Sequence, residues 1–250
     1  MVNKVAWITG AGSGIGEASA IKLSDEGFIV VLSGRTKQAL DNVASKCKGE
    51  ASVKPLDVSN SDDVKDVFES IISEYGRIDV LVASAGLNAK NRNWHNVSEE
   101  DFDQIIKIDL NGVFYTNRLV LEKMKEQRDG LIINISSWAG KYVTSLTGPA
   151  YTAAKHGVNA LTEGINMEAG HFGVRACAIC PGEVATPILD KRPIPVSKED
   201  KEKMVQSEDC AETVVFLAKL PPRVCINEIT ISPTWNRLYV AGLTDQIPKN

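Results

Sequence analysis

Seven short apolar runs recur along the chain: Val5–Thr9, Ile29–Ser33, Ser52–Leu56, Val80–Ala83, Leu131–Ser136, Val174–Ile179 and Ile226–Ile231. They are rich in Val and Ile and continuous rather than alternating, the pattern of strands covered on both faces. Between them lie stretches with helical spacing, clearest at Gly14–Glu26, Lys37–Cys47, Ser61–Tyr75, Ser98–Lys125 (one helix or two) and Pro149–Phe172. Ser98 and Asp101 resemble a capping box at one helix start. Strand and helix alternate with short links, which predicts an α/β fold: a doubly wound, seven-stranded parallel sheet with helices on both faces. No linker or repeat divides the chain, so residues 1–250 are read as one domain. One stretch breaks the rhythm. Residues 187–206 are polar and Pro-rich, as expected of a lid over a substrate site, and 232–250 form a tail.

Composition narrows the function classes. The balance of 28 Lys+Arg against 32 Asp+Glu leaves a net charge of −4 with no basic block, so nucleic acid is not an expected partner. No apolar run approaches the ~20 residues that span a bilayer, so no membrane partner is expected. The first residues lack the long apolar core of a signal peptide, and the five cysteines are odd in number and scattered. Reduced thiols in a cytoplasmic protein are the expectation. Cys177 and Cys180 fall in a buried strand and are read as core. His95, His156 and His171 form no ligand cluster, so no metal is expected.

Candidate chemistry begins after the first strand, at Thr9-Gly10-Ala11-Gly12-Ser13-Gly14-Ile15-Gly16. Glycines there let the backbone approach a pyrophosphate, and the following helix offers its free N–H groups and positive dipole end. The second strand ends at Ser33-Gly34-Arg35. No acid stands there to hold a ribose 2′-OH, whereas Arg35, with Lys37 nearby, is placed to meet a 2′-phosphate. NADP(H) is therefore preferred over NAD(H) as the expected cofactor.

Tyr151 and Lys155 are spaced i,i+4 at the start of a long helical pattern and share one face. A free tyrosine titrates near ~10, and a nearby cation favours its phenolate. Such a pair can give and take a proton near neutral pH. Ser136 and Ser137 end the fifth predicted strand, where ligands of open α/β sheets bind, and Ser137 is placed to hydrogen-bond a carbonyl oxygen.

Together these residues resemble the short-chain dehydrogenase/reductase family over nearly the whole chain. Gly10, Ser13, Gly14, Ile15 and Gly16 are similar to its cofactor turn. Asp57-Val58 resembles the pair that contacts adenine, and Ala85-Gly86 the end of its Asn-Asn-Ala-Gly motif. Ser137, Tyr151 and Lys155 match its catalytic Ser, Tyr and Lys. Pro181-Gly182, with Val184 and Thr186, resembles the segment that holds the nicotinamide carboxamide. The resemblance implies a Rossmann-like domain that interconverts a carbonyl and an alcohol by hydride transfer. In it Ser137 polarises the carbonyl, Tyr151 exchanges the proton, and Lys155 lowers the Tyr pKa and binds the ribose. It also implies a homotetramer or homodimer.

Three departures stand out. The Asn-Asn-Ala-Gly motif reads Ala83-Ser84-Ala85-Gly86, and the Ser137-to-Tyr151 spacing is one residue longer than usual. Asp109 occupies the position of the family's fourth catalytic residue, an Asn. Trp94, Trp138, Tyr142 and Ile188 are candidate walls of the substrate pocket. Reduction or oxidation of a 3-oxoacyl thioester or 3-hydroxy acid is the alternative enzyme reading; the thioester form needs a basic mouth from Lys141, Lys191 and Arg192. A non-catalytic dinucleotide sensor is the alternative of another class, and the intact Tyr151 and Lys155 weigh against it.

Overall fold

The computed structural model describes residues 4–191, 196–236 and 239, except the side chains of Asp190 and Lys191. The strands are β1 (Val5–Thr9), β2 (Ile29–Ser33), β3 (Ala51–Val53), β4 (Val80–Ala83), β5 (Gly130–Ile135), β6 (Val174–Pro181) and β7 (Glu228–Ile231). All pair in parallel, in the order β3-β2-β1-β4-β5-β6-β7. The helices are α1 (Gly14–Asp25), α2 (Lys37–Ala44), α3 (Ser61–Tyr75), α4 (Glu99–Ile106), α5 (Gly112–Gln127), α6 (Pro149–Ala169), α7 (Lys198–Glu202) and α8 (Ser207–Lys219).

The two-residue period of a strand divides the core into two layers. Ala6, Ile8, Val30, Leu32, Val82, Ile133 and Cys177 point to one face and pack on Leu23 of α1, Leu40 of α2 and Val214 of α8. Val5, Trp7, Val31, Leu81, Ile132 and Ala176 point to the other and pack on Ile71 of α3, Val120 of α5 and Ile165 of α6. Continuous apolar strands are thus covered on both sides, as the sequence pattern predicts. The expectation fails only at the edges: β3 is half-buried throughout, and β7 alternates exposed and half-buried residues. An edge strand has a neighbour on one side only, and here both edges are less covered.

Strand order reverses at β1, which pairs with β2 on one side and β4 on the other, and a crevice opens at the carboxyl ends of β1 and β4. The Ser98–Lys125 stretch is two helices rather than one. Ser98 accepts the N–H of Asp101 at 3.0 Å to start α4, and a π-turn at Lys107–Asn111 separates α4 from α5. Of the expected lid, Pro187–Lys191 is a 3-10 turn and α7 a short helix, while Val205 pairs back on Val184. The lid is therefore partly tied to the body. Its residues 192–195, and most of the 232–250 tail, lie outside the described residues. Among the described residues, no helix is long and apolar enough to cross a membrane.

Candidate active site

One cavity lies at the carboxyl ends of the central strands. Gly10, Ser13, Gly14 and Ile15 line it from the first turn, and Ala85-Gly86 from the end of β4. Of the other expected residues, Asp109, Ser137, Tyr151, Lys155, Pro181, Gly182, Val184 and Thr186 line it as well. Gly16, Arg35, Asp57 and Val58 stand outside its lining.

The turn is built for close backbone approach. Gly10 (φ +66°) and Gly14 (φ +57°) are left-handed. A Cβ on Gly10 would stand 2.7 Å from the Ala85 nitrogen, and one on Gly16 2.3 Å from the Gly10 carbonyl oxygen. Only hydrogen fits at these points, so the turn, β4 and the start of α1 close on one another. That cradle, open to the cavity and headed by a helix N-terminus, fits a dinucleotide pyrophosphate. At the end of β2, the Ser33 hydroxyl is buried and accepts the Trp7 indole N–H at 2.9 Å. Arg35 is exposed and makes no ion pair among the described residues, whereas Lys37 is committed to Asp41 at 2.8 Å. Asp57 caps its own turn, accepting the Ser59 N–H at 2.9 Å. Burial raises its pKa, but the Ser59 hydrogen bonds, with Arg35 and Lys107, pull it below the usual carboxylate value.

Ser137 ends the chain leaving β5 and caps a short 3-10 turn, its Oγ accepting the Ala139 N–H at 3.1 Å. Tyr151 and Lys155 lie on the first turns of α6, with Lys155 Nζ 5.4 Å from the centre of the Tyr151 ring. Lys155 Nζ also donates to the Ile135 carbonyl at 3.1 Å, which anchors it to the end of β5. The π-turn carries Asp109 fully inside. Its Oδ1 accepts the Leu87 N–H at 2.8 Å, and its Oδ2 lies 3.4 Å from Lys155 Nζ. Burial raises the Tyr151 pKa above its ordinary value; Lys155 opposes, Asp109 adds to the rise, and Ser137 and Arg92 pull it down.

The substrate-side expectations divide. Trp138 and Ile188 line the cavity. Trp94 does not: it is 86% exposed and borders a separate pocket with His95, Val143 and His156. Tyr142 is also outside, its ring edge-on to Trp138 at 5.1 Å. Trp94 lies within a turn and Tyr142 follows the 3-10 turn of Trp138–Gly140, details that spacing alone does not reveal. The cavity is also walled by Thr144, Leu146 and Thr147, from the lengthened loop between Ser137 and Tyr151, and by Asn88, Arg92 and Asn236, which the motif reading missed. For Arg92 the available signal was its place in the loop just after β4. Lys141, named for a basic mouth, is paired with Glu228. Arg192 and the Lys191 side chain lie outside the described residues. Burial pushes the Cys177 thiol up to about 12, as for a core cysteine. No group of metal-ligating side chains occurs among the described residues.

The chain matches the short chain dehydrogenase family over residues 4–194. It belongs to that family. An uncharacterised oxidoreductase of Staphylococcus aureus (strain USA300) is 36% identical over 236 residues, which is 93% of this chain and 98% of that protein. Among solved structures, the closed form of a serine dehydrogenase complexed with NADP+ aligns with a TM-score of 0.84 at 29% identity, covering 92% of this chain and 94% of that one. An alcohol dehydrogenase from the archaeon Thermococcus sibiricus, complexed with 5-hydroxy-NADP, aligns at 0.82 and 29% identity over 99% of both chains. The chain is thus a short-chain dehydrogenase of the oxidoreductase class, with NADP-bound structural neighbours.

Proposed function

We propose that this short-chain dehydrogenase is an NADP(H)-dependent enzyme that interconverts a ketone or aldehyde and the corresponding alcohol, within one domain spanning the chain. The observation that carries the reading is the meeting of Ser137, Tyr151 and Lys155 in one cavity with the glycine turn. Gly10 to Gly16 hold the pyrophosphate, Ala85-Gly86 and Pro181 to Thr186 flank the nicotinamide end, and Asp57-Val58 the adenine end. When bound, the nicotinamide nucleotide supplies or accepts hydride at the carbonyl carbon. Ser137 donates a hydrogen bond to the carbonyl oxygen, Tyr151 gives that oxygen its proton, and Lys155 favours the phenolate left behind.

A panel of ketones, aldehydes and alcohols, assayed with NADPH and NADH by reduced-nicotinamide absorbance, tests the activity. Turnover of at least one carbonyl is expected. Cofactor binding with no turnover across the panel would instead favour the non-catalytic sensor. Arg35→Asp should lower the preference for NADPH over NADH in kcat/KM by about 10- to 100-fold, the worth of one charge-assisted hydrogen bond. An unchanged ratio would remove Arg35 from cofactor selection.

A second reading, in which the substrate carries a carboxylate as a hydroxy or oxo acid, is favoured by Arg92. This cation is 7% exposed in the cavity wall and close enough to pull the Tyr151 hydroxyl down. The likeness to a serine dehydrogenase points the same way. Assembly into two or four copies is supported by Phe114 on α5, Met167 on α6 and Phe216 on α8, all exposed.

A further inference from the structure

We propose that Asp109 is a positioning residue that shares the Lys155 ammonium with Tyr151, and so biases the site toward donating a proton to a carbonyl oxygen over removing one from an alcohol. The inference rests on the reading of Tyr151 as the acid and base.

The geometry is that of a direct buried pair. Asp109 is inaccessible to solvent and Lys155 is 4% exposed, with Oδ2 3.4 Å from Nζ. They meet over Gly86, where a Cβ would stand 2.9 Å from Oδ2 and 3.5 Å from Nζ. No side chain fits there to separate them. Lys155 is fixed on its other donors' side by the Ile135 carbonyl and lies against the Tyr151 ring. The Lys155 ammonium therefore serves two acidic groups. An amide at position 109 would leave the full ammonium charge to the Tyr151 phenolate. A carboxylate takes part of it, and in a buried setting that share is large.

The other groups facing the pair set the balance. Arg92, from the loop after β4, and the Ser137 hydroxyl favour the phenolate. The Cys180 thiol, on β6, faces Lys155. Burial disfavours the charged form of Lys155, but Asp109 and Tyr151 outweigh it and its pKa ends above that of an ordinary lysine. Burial likewise raises Asp109, opposed by Lys155 and the Leu87 N–H. The ammonium is thus retained while its effect on Tyr151 is reduced.

The sign of the consequence is definite. Reduction needs the Tyr151 O–H and fails as pH rises through its pKa; oxidation needs the phenolate and appears as pH rises through it. Neutralising Asp109 lowers that pKa, so both limbs move to lower pH.

The test is Asp109→Asn, with kcat/KM measured against pH in both directions. Both limbs are expected to fall by about one to two pH units, with a lower Tm because the buried Lys155 ammonium loses its partner carboxylate. Titration of the near-ultraviolet phenolate absorbance, with Tyr151→Phe as the blank, should show the same downward shift without turnover. Asp109→Ser, smaller and neutral, gives the same comparison if the amide does not fold. Limbs and titrations that coincide with the parent's would overturn the inference while a dead Tyr151→Phe leaves the catalytic reading standing. A Tyr151→Phe enzyme with parental turnover would overturn both.

Discussion

Tyr151→Phe is expected to lower kcat and kcat/KM together by about 10²- to 10⁴-fold, the usual contribution of a positioned acid. The substitution removes one oxygen and leaves the ring. The helix that carries it is held from below by Ala150 and Ala154, both buried against Ala89 and Ile105, so neither the fold nor the site's shape should change. Lys155 keeps its bond to the Ile135 carbonyl, and the glycine turn is untouched. Dinucleotide binding should therefore persist, as read by NADPH fluorescence on titration. Loss of turnover with retained binding is the expected pair of results. Retained turnover would mean that another group supplies the proton.

Gly148→Ala is expected to be nearly as damaging by a different route. Gly148 precedes α6 with φ +76° and ψ 168°, a region essentially reserved for glycine. A Cβ there would stand 1.9 Å from the Arg92 carbonyl oxygen. A Cβ is fixed by its own backbone and the Arg92 oxygen is backbone, so relief requires the start of α6 and the loop after β4 to part. Backbone strain and overpacking together should cost about 3 kcal/mol or more. For a chain of this size that is a fall in Tm of roughly 6–12 °C by calorimetry. Tyr151 is three residues on, and a misplacement of about 1 Å at a reacting group can cost about 10²-fold in rate. A variant with parental Tm and turnover would show that the helix start tolerates this shift.

These two residues illustrate what could be read in advance. Tyr151 was legible because its partner is four residues away and a helix turns both to one side. Gly148 was not: its constraint comes from Arg92, brought up by a different loop. Asp109 lies between the two cases. Its position in the chain marked it as a departure, but the contact with Lys155 exists only because a π-turn rotates the carboxylate inward beneath Gly86. Trp94 and Tyr142 looked like pocket walls from their place in loops, and neither lines the cavity. Arg92 and Asn88 took the wall instead, in a stretch with no periodicity to guide the eye.

The sequence by itself determined the layered fold, the parallel sheet, the glycine turn and the residues Ser137, Tyr151 and Lys155 that meet in one cavity. Each is encoded locally, in a repeat of two or about four residues, a strand end, or a glycine where backbone must approach. Only the tertiary structure decided which loops close over the crevice, which side chains line it, and that one buried ammonium is divided between a tyrosine and a carboxylate. Those are properties of distance between segments remote in the chain. Their energies depend on burial and on charges a few ångströms away, which no short stretch of sequence carries.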